Sequence, residues 1–232
     1  MRIATVVERA TADPAVLGLV LTGSHARGLA GPHSDLDVTL VVDSQDQPWQ
    51  HRVRSADLDE TVCTVAALTD TSVRWVRYGF RGAQVLLDRL DGHIAELVRR
   101  QATLTASEAV SDAREYLDAY VNQLYRAVKS RRDGFPDVAR LDLIESVPWL
   151  LETVFALHGR LRPYNKYLPW ELSTHPLPGE WNTLLAPAAL PNAALRLFPA
   201  VEDLARSLGH GDLLDSWGDD ITLIRSSAML LE

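Results

Sequence analysis

The chain has 232 residues, 47% of them hydrophobic and 23% charged, a balance that excludes disordered, collagen-like and low-complexity classes. No apolar run approaches the roughly 18 residues of a membrane span, and charge interrupts the N-terminal stretch where a signal peptide needs an apolar core, so a cytoplasmic protein is expected. A formal charge of −8, from 31 acidic and 23 basic residues, disfavours a polyanionic partner, and the single cysteine, Cys63, rules out an internal disulfide or a cysteine-built zinc site.

In chain order, a helix is expected near residues 2–10. The run Ala15-Val16-Leu17-Gly18-Leu19-Val20-Leu21-Thr22 then has strand length and is apolar throughout. A strand with no polar side is buried on both faces, which implies helices covering a sheet. It ends at Gly23-Ser24, and a short helix over 24–30 follows. Leu36 to Val42 is rich in β-branched residues and forms a second strand. Leu58 to Leu68 is a third run, and Gln84 to Asp88 a fourth, closed by the turn Asp91-Gly92. Helices are expected at 71–82 and 93–101. After Thr105 the periodicity becomes helical. One long pattern starts at Ser107, passes through Tyr116, Tyr120, Leu124 and Val128, and stops at Asp133-Gly134. Another spans Val138 to Leu157, and 189–209 and 211–226 continue in the same manner. The organisation expected is an α/β domain over 1–105 followed by an all-α domain over 106–232.

The stretch that carries chemistry is Thr22-Gly23-Ser24-His25-Ala26-Arg27-Gly28 through Ser34-Asp35-Leu36-Asp37. A helix that opens directly after a buried strand presents free N–H groups and the positive end of its dipole to an anion. Gly23 lets a phosphate approach the backbone, Ser24 adds a hydroxyl donor, and Arg27, one turn on, reaches the same anion. Asp35 and Asp37 stand two apart at a strand entrance, so both carboxylates point one way while Leu36 turns to the core. Paired carboxylates are hard oxygen ligands suited to Mg2+, which keeps waters and accepts substrate phosphates as further ligands. The pair alone is weak, since Asp57-Leu58-Asp59 repeats it. Its weight comes from its order after the strand and the glycine turn.

Gly-Ser-x-Ala-Arg-Gly-x-Ala followed by Ser-Asp-x-Asp and an apolar strand resembles the DNA polymerase β-like nucleotidyltransferase superfamily. Within it, the chain is similar to the small two-domain aminoglycoside and lincosamide nucleotidyltransferases and to the minimal nucleotidyltransferases. The resemblance implies a mixed sheet flanked by helices, Mg2+, and a nucleoside triphosphate, with ATP the expected co-substrate. It implies transfer of the nucleoside monophosphate to a hydroxyl of a small-molecule, aminoglycoside-like acceptor, with release of pyrophosphate. Gly23 and Ser24 would hold the triphosphate, and Asp35 and Asp37 the metal. The alternative is an antitoxin-like or regulatory member that modifies or binds a protein partner. Nucleic-acid end addition is disfavoured because no basic groove-like run is present. Neither a membrane partner nor a particular oligomeric state is implied.

The resemblance also implies a third acid on a neighbouring strand. Asp57, Asp59 and Glu60 are the candidates, and Asp59 is preferred as a metal ligand because it lies closer to the apolar part of its strand. In the helical domain, Glu152 sits among Trp149, Leu150, Leu151, Val154 and Phe155. A carboxylate there is either a general base with a raised pKa or the partner of an arginine such as Arg140 or Arg160. Glu145 shares its helix face. The donor-rich segment His158 to Tyr167 contains Lys166, one of the chain's two lysines, the preferred phosphate contact there, with Arg162 second.

Overall fold

The computed structural model describes residues 2–190 and 193–229. It divides into two units, residues 1–103 and 104–232.

The first unit is built on a five-stranded mixed sheet in the order β3-β4-β2-β1-β5, with strands β1 (Val16–Leu21), β2 (Leu36–Val42), β3 (Trp49–Arg54), β4 (Leu58–Thr64) and β5 (Gln84–Asp88). β1 is antiparallel to β2 and β5, β2 is parallel to β4, and β3 is antiparallel to β4. Side-chain alternation divides the sheet into two cores. Leu19, Leu21, Val38, Leu40, Leu58 and Val62 pack with Val6 and Ala10 of helix α1 (Ile3–Ala12). Val20, Val41 and Cys63 pack on the other face with Leu68 of α3 (Val65–Thr69), Phe80, and Ile94, Leu97 and Val98 of α5 (His93–Gln101). Burial of each large aliphatic side chain contributes roughly 1.5–3 kcal/mol, which is why the continuous apolar run of β1 lies near the middle of the sheet. The helix α2 (Gly23–Ala26) is a single turn, and the expected 71–82 helix is reduced to α4 (Arg74–Arg77) and a 3₁₀ turn at Tyr78–Phe80. The third run is strand only as far as Thr64, whose hydroxyl accepts from Ala67 N and caps α3. No sequence pattern announces strand β3, because its residues are half-exposed or exposed and show no apolar alternation.

The second unit centres on two long helices, α6 (Ala106–Arg132) and α7 (Pro136–Leu157). Thr105 opens α6 with a capping box: its hydroxyl accepts from Glu108 N while the Glu108 carboxylate accepts from Thr105 N. Leu117, Tyr120, Val121 and Leu124 of α6 pack against Leu150, Val154 and Phe155 of α7, with Leu172 of α8 (Leu168–Thr174), Trp181 of α9 (Trp181–Leu184), Phe198 and Val201 of α10 (Phe198–Ser207), Leu214 of α11 (Gly211–Asp215), and Ile221 and Ile224 of α12 (Asp219–Met229). Of the helical pattern expected over 189–209, α10 takes only residues 198–207, with turns over 193–197; Pro191 and Asn192 lie outside the described residues. Among the described residues no helix is long and apolar enough to cross a membrane.

Candidate active site

The ladder places the motif's parts at one end of the sheet. β1 runs toward that end and delivers Gly23, while the parallel strands β2 and β4 start there. Thr22 N donates to Asp37 O at 2.9 Å, which fixes the turn against the entrance of β2. Gly23 has φ +63°, and a Cβ placed on it would lie 1.7 Å from Asp37 Oδ2. Only a residue without a side chain fits, so the turn and the Asp37 carboxylate share one space. Ser24 is buried, and its carbonyl accepts from Leu29 N at 2.8 Å.

Asp37 and Asp59 are register partners on the parallel strands. Neighbouring strands lie about 4.8 Å apart, so partners on one face stand side by side. Both aspartates alternate away from the α1 core, whose strand residues on either side of them are Leu36, Val38 and Leu58. Asp35 is the half-buried residue immediately before β2, and Asp57, exposed, is the one before β4. Glu60 points to the opposite face, where it is fully buried and ion-paired with Arg9 of α1, with Arg52 Nε 3.7 Å away. Of the three candidate acids, Asp59 therefore shares the face and register of Asp37, whereas Glu60 holds α1 to the sheet. Asp59 has a partner of its own, His51 Nδ1 at 3.2 Å.

Among the described residues no three acidic, histidine or cysteine side chains converge into a closed metal cage. An ion that draws its remaining ligands from water and phosphate does not need one, and adjacent carboxylates beside a glycine turn suit that mode of binding. Residues 2–101 match the family described as nucleotidyltransferase domain. This unit is a nucleotidyltransferase domain of the DNA polymerase β-like superfamily. Nucleotidyl transfer is thus the generic chemistry of this domain, carried out in the family with a nucleoside triphosphate and a divalent metal. A nucleotidyltransferase-like protein from Exiguobacterium sibiricum 255-15 aligns with 92% of this chain and 77% of its own, at 13% identity and a TM-score of 0.49. No curated protein matches the chain.

Within the nucleotidyltransferase domain, Arg27 is placed differently from the sequence expectation of a direct anion contact. It is almost fully buried, donating to Gly23 O at 2.7 Å, Tyr78 O at 3.1 Å and Gly79 O at 3.2 Å, with its guanidinium 5.5 Å from the centre of the Tyr78 ring. These bonds tie the glycine turn to the 3₁₀ segment. His25 is half-buried in α2, and His33 is exposed. Burial pushes the Cys63 thiol up to about 12, so Cys63 is an inert core residue.

The helical unit holds the remaining candidates. Burial pushes the Glu152 carboxyl up to about 7; the Arg162 charge pulls it down and the Asp112 charge raises it. The Arg162 Nε lies 3.9 Å from Glu152 Oε1, and its Nη2 donates to Asn165 Oδ1 at 2.7 Å. Arg160 is ion-paired with the buried Glu171 and donates to His175 O at 2.7 Å, which makes both residues structural. Lys166 is exposed, its ammonium 5.5 Å from the centre of the Tyr167 ring. Glu145 accepts from Gln123 of α6 at 3.2 Å. A cavity of about 350 Å³ in this unit is lined by Ile144, Val147, Leu151 and Leu168, with Arg162 and Asn165 as its polar groups.

Proposed function

We propose that the chain transfers a nucleoside monophosphate from ATP to a hydroxyl of a small-molecule acceptor, with Mg2+ as the metal and pyrophosphate as the leaving product. The observation behind this reading is the closeness of the glycine turn to Asp37: a Cβ placed on Gly23 would lie 1.7 Å from Asp37 Oδ2, so a phosphate on the turn would adjoin the carboxylate.

In this reading Gly23 and Ser24 seat the triphosphate, and Arg27 fixes the turn that does so. Asp37 and Asp59, register partners, with Asp35 at the entrance of β2, would supply carboxylates to Mg2+, water and phosphate completing its shell; the ion would neutralise phosphate charge and activate oxygen. In the helical unit, Glu152 carries a carboxyl raised to about 7, the property a general base needs. The cations of the helical unit that suit a phosphate are Lys166, which is exposed, and Arg162, which already has Asn165 and Glu152 as neighbours. The chain's negative charge favours a cationic acceptor of the aminoglycoside kind.

A second reading, modification of a protein hydroxyl, is favoured by one feature. Phe135, Val138, Leu141 and Ile144 leave 48–62% of their surfaces exposed along the start of α7, a stripe suited to a partner protein.

The test is incubation with each α-labelled nucleoside triphosphate, Mg2+ and a panel of aminoglycosides, other hydroxylated small molecules and proteins. The expected result is pyrophosphate release with label on a small molecule, fastest from ATP. Label on protein alone selects the second reading. Folded protein that labels nothing and releases no pyrophosphate contradicts both.

A further inference from the structure

Strand β3 forms the sheet edge beyond β4. Trp49 anchors its start, the ring centre lying 6.2 Å from that of Phe80 in the α5-side core. The register pairs Trp49 with Cys63 and His51 with Thr61, then shifts so that Val53 faces Glu60. One extra residue, Arg52, therefore sits in β3. Bulges of this kind re-aim side chains at sheet edges and beside active sites. Here the bulge lets Val53 pack into the α1-side core while His51 keeps the face of Trp49, which is also the face of Asp37 and Asp59.

His51 Nδ1 lies 3.2 Å from Asp59 Oδ1, with 61% of the His51 side chain and 25% of the Asp59 side chain exposed. Among the described residues, this is the side-chain hydrogen bond that Asp59 makes. An exposed pair of this type adds only about 0–1 kcal/mol to folding, so its consequence is geometric: a carboxylate held at one oxygen no longer turns freely about its terminal torsion. Metal-ligating carboxylates are commonly oriented by an outer hydrogen bond of this type, and its removal typically weakens metal binding about 10–100-fold.

We propose that His51 is a positioning residue of the metal site: its Nδ1–H donates to Oδ1 of Asp59 and leaves Oδ2 to ligate the divalent cation. The inference rests on the reading of Asp59 as a ligand, and deepens it by adding a residue from an edge strand that no motif covers.

The experiment measures Mn2+ binding to the full chain in the presence of ATP, by the loss of the free-ion electron paramagnetic resonance signal. The proteins compared are the wild type, His51→Ala, His51→Asn, Asp59→Asn and the double variant His51→Ala/Asp59→Asn. His51→Ala is expected to weaken Mn2+ binding about tenfold, and His51→Asn, whose amide can donate in the same place, to recover most of the loss. In the Asp59→Asn background, His51→Ala is expected to have no further effect, because the bonded partner has gone. Melting temperatures should stay level across the set, which separates positioning from a structural role. If Asp59→Asn weakens Mn2+ binding while His51→Ala leaves it unchanged or tightens it, the proposal fails and Asp59 stands as a ligand. Full additivity of the two substitutions also overturns it. If Asp59→Asn itself has no effect, the assignment of Asp59 as a ligand falls, and the role of His51 falls with it.

Discussion

The two faces of the sheet use neighbouring acids in opposite ways. On the α1 side, Glu60 is completely buried and bound to Arg9, a contact that ties helix to sheet. One residue earlier, Asp59 keeps part of its surface exposed beside its register partner Asp37. The two differ by a single step of strand alternation. A carboxylate surrounded by core and paired with an arginine is structural; the half-exposed one, beside a second carboxylate and held by His51, is the one proposed as a cation ligand.

The sharpest way to break this contrast is to neutralise each acid in turn. Glu60→Gln removes the charge that pairs with Arg9 and is expected to cost about 2–3 kcal/mol in urea denaturation. That is below the range for breaking a fully buried pair, because 45% of the Arg9 side chain is exposed and can rehydrate. Transfer activity per folded molecule should persist. Asp59→Asn should do the reverse, leaving stability within about 0.5 kcal/mol and lowering turnover at least tenfold. Equal stability losses in both variants would abolish the distinction between the faces.

Glu152 offers a smaller, pH-dependent effect in the helical unit. Its pKa is raised from 4.5 to about 7, chiefly by burial. Between those values the folded chain holds a proton that the unfolded chain releases. Stability should therefore fall as pH rises through that window and level off above 7. Glu152→Gln removes the dependence, so the variant should gain on the wild type between pH 5 and pH 8. The gain is on the order of 1 kcal/mol, less than the full shift implies, because 30% of the side chain remains exposed. Melting temperatures across pH provide the check, and parallel curves for the two proteins would remove the raised pKa.

Much of this was legible in the sequence, because the relevant physics is local. A strand without a polar face must be central, Gly23-Ser24 must be a turn, and two aspartates two apart in a strand share a side. The change to helical periodicity after Thr105 follows from residue spacing alone. What escaped detection depends on partners distant along the chain. Strand β3 has no apolar alternation because it is an edge, so the neighbour of Asp59 at His51 had no signal. Arg27 was expected to meet a phosphate, but the carbonyls of Tyr78 and Gly79, 51 and 52 residues away in sequence, take its guanidinium. Glu60 and Asp59 could be assigned to opposite faces from alternation, whereas their different fates required Arg9 to be located.

The central claim is that the Gly23 turn and the Asp37 carboxylate bind magnesium and triphosphate together. It is tested most directly by calorimetric titration of ATP, with and without Mg2+, into the wild type and Asp37→Asn. Magnesium should tighten ATP binding to the wild type at least about tenfold and leave Asp37→Asn, which should bind metal-free ATP as the wild type does, without that gain. An Asp37→Asn protein that retains the full magnesium-dependent gain would contradict the account.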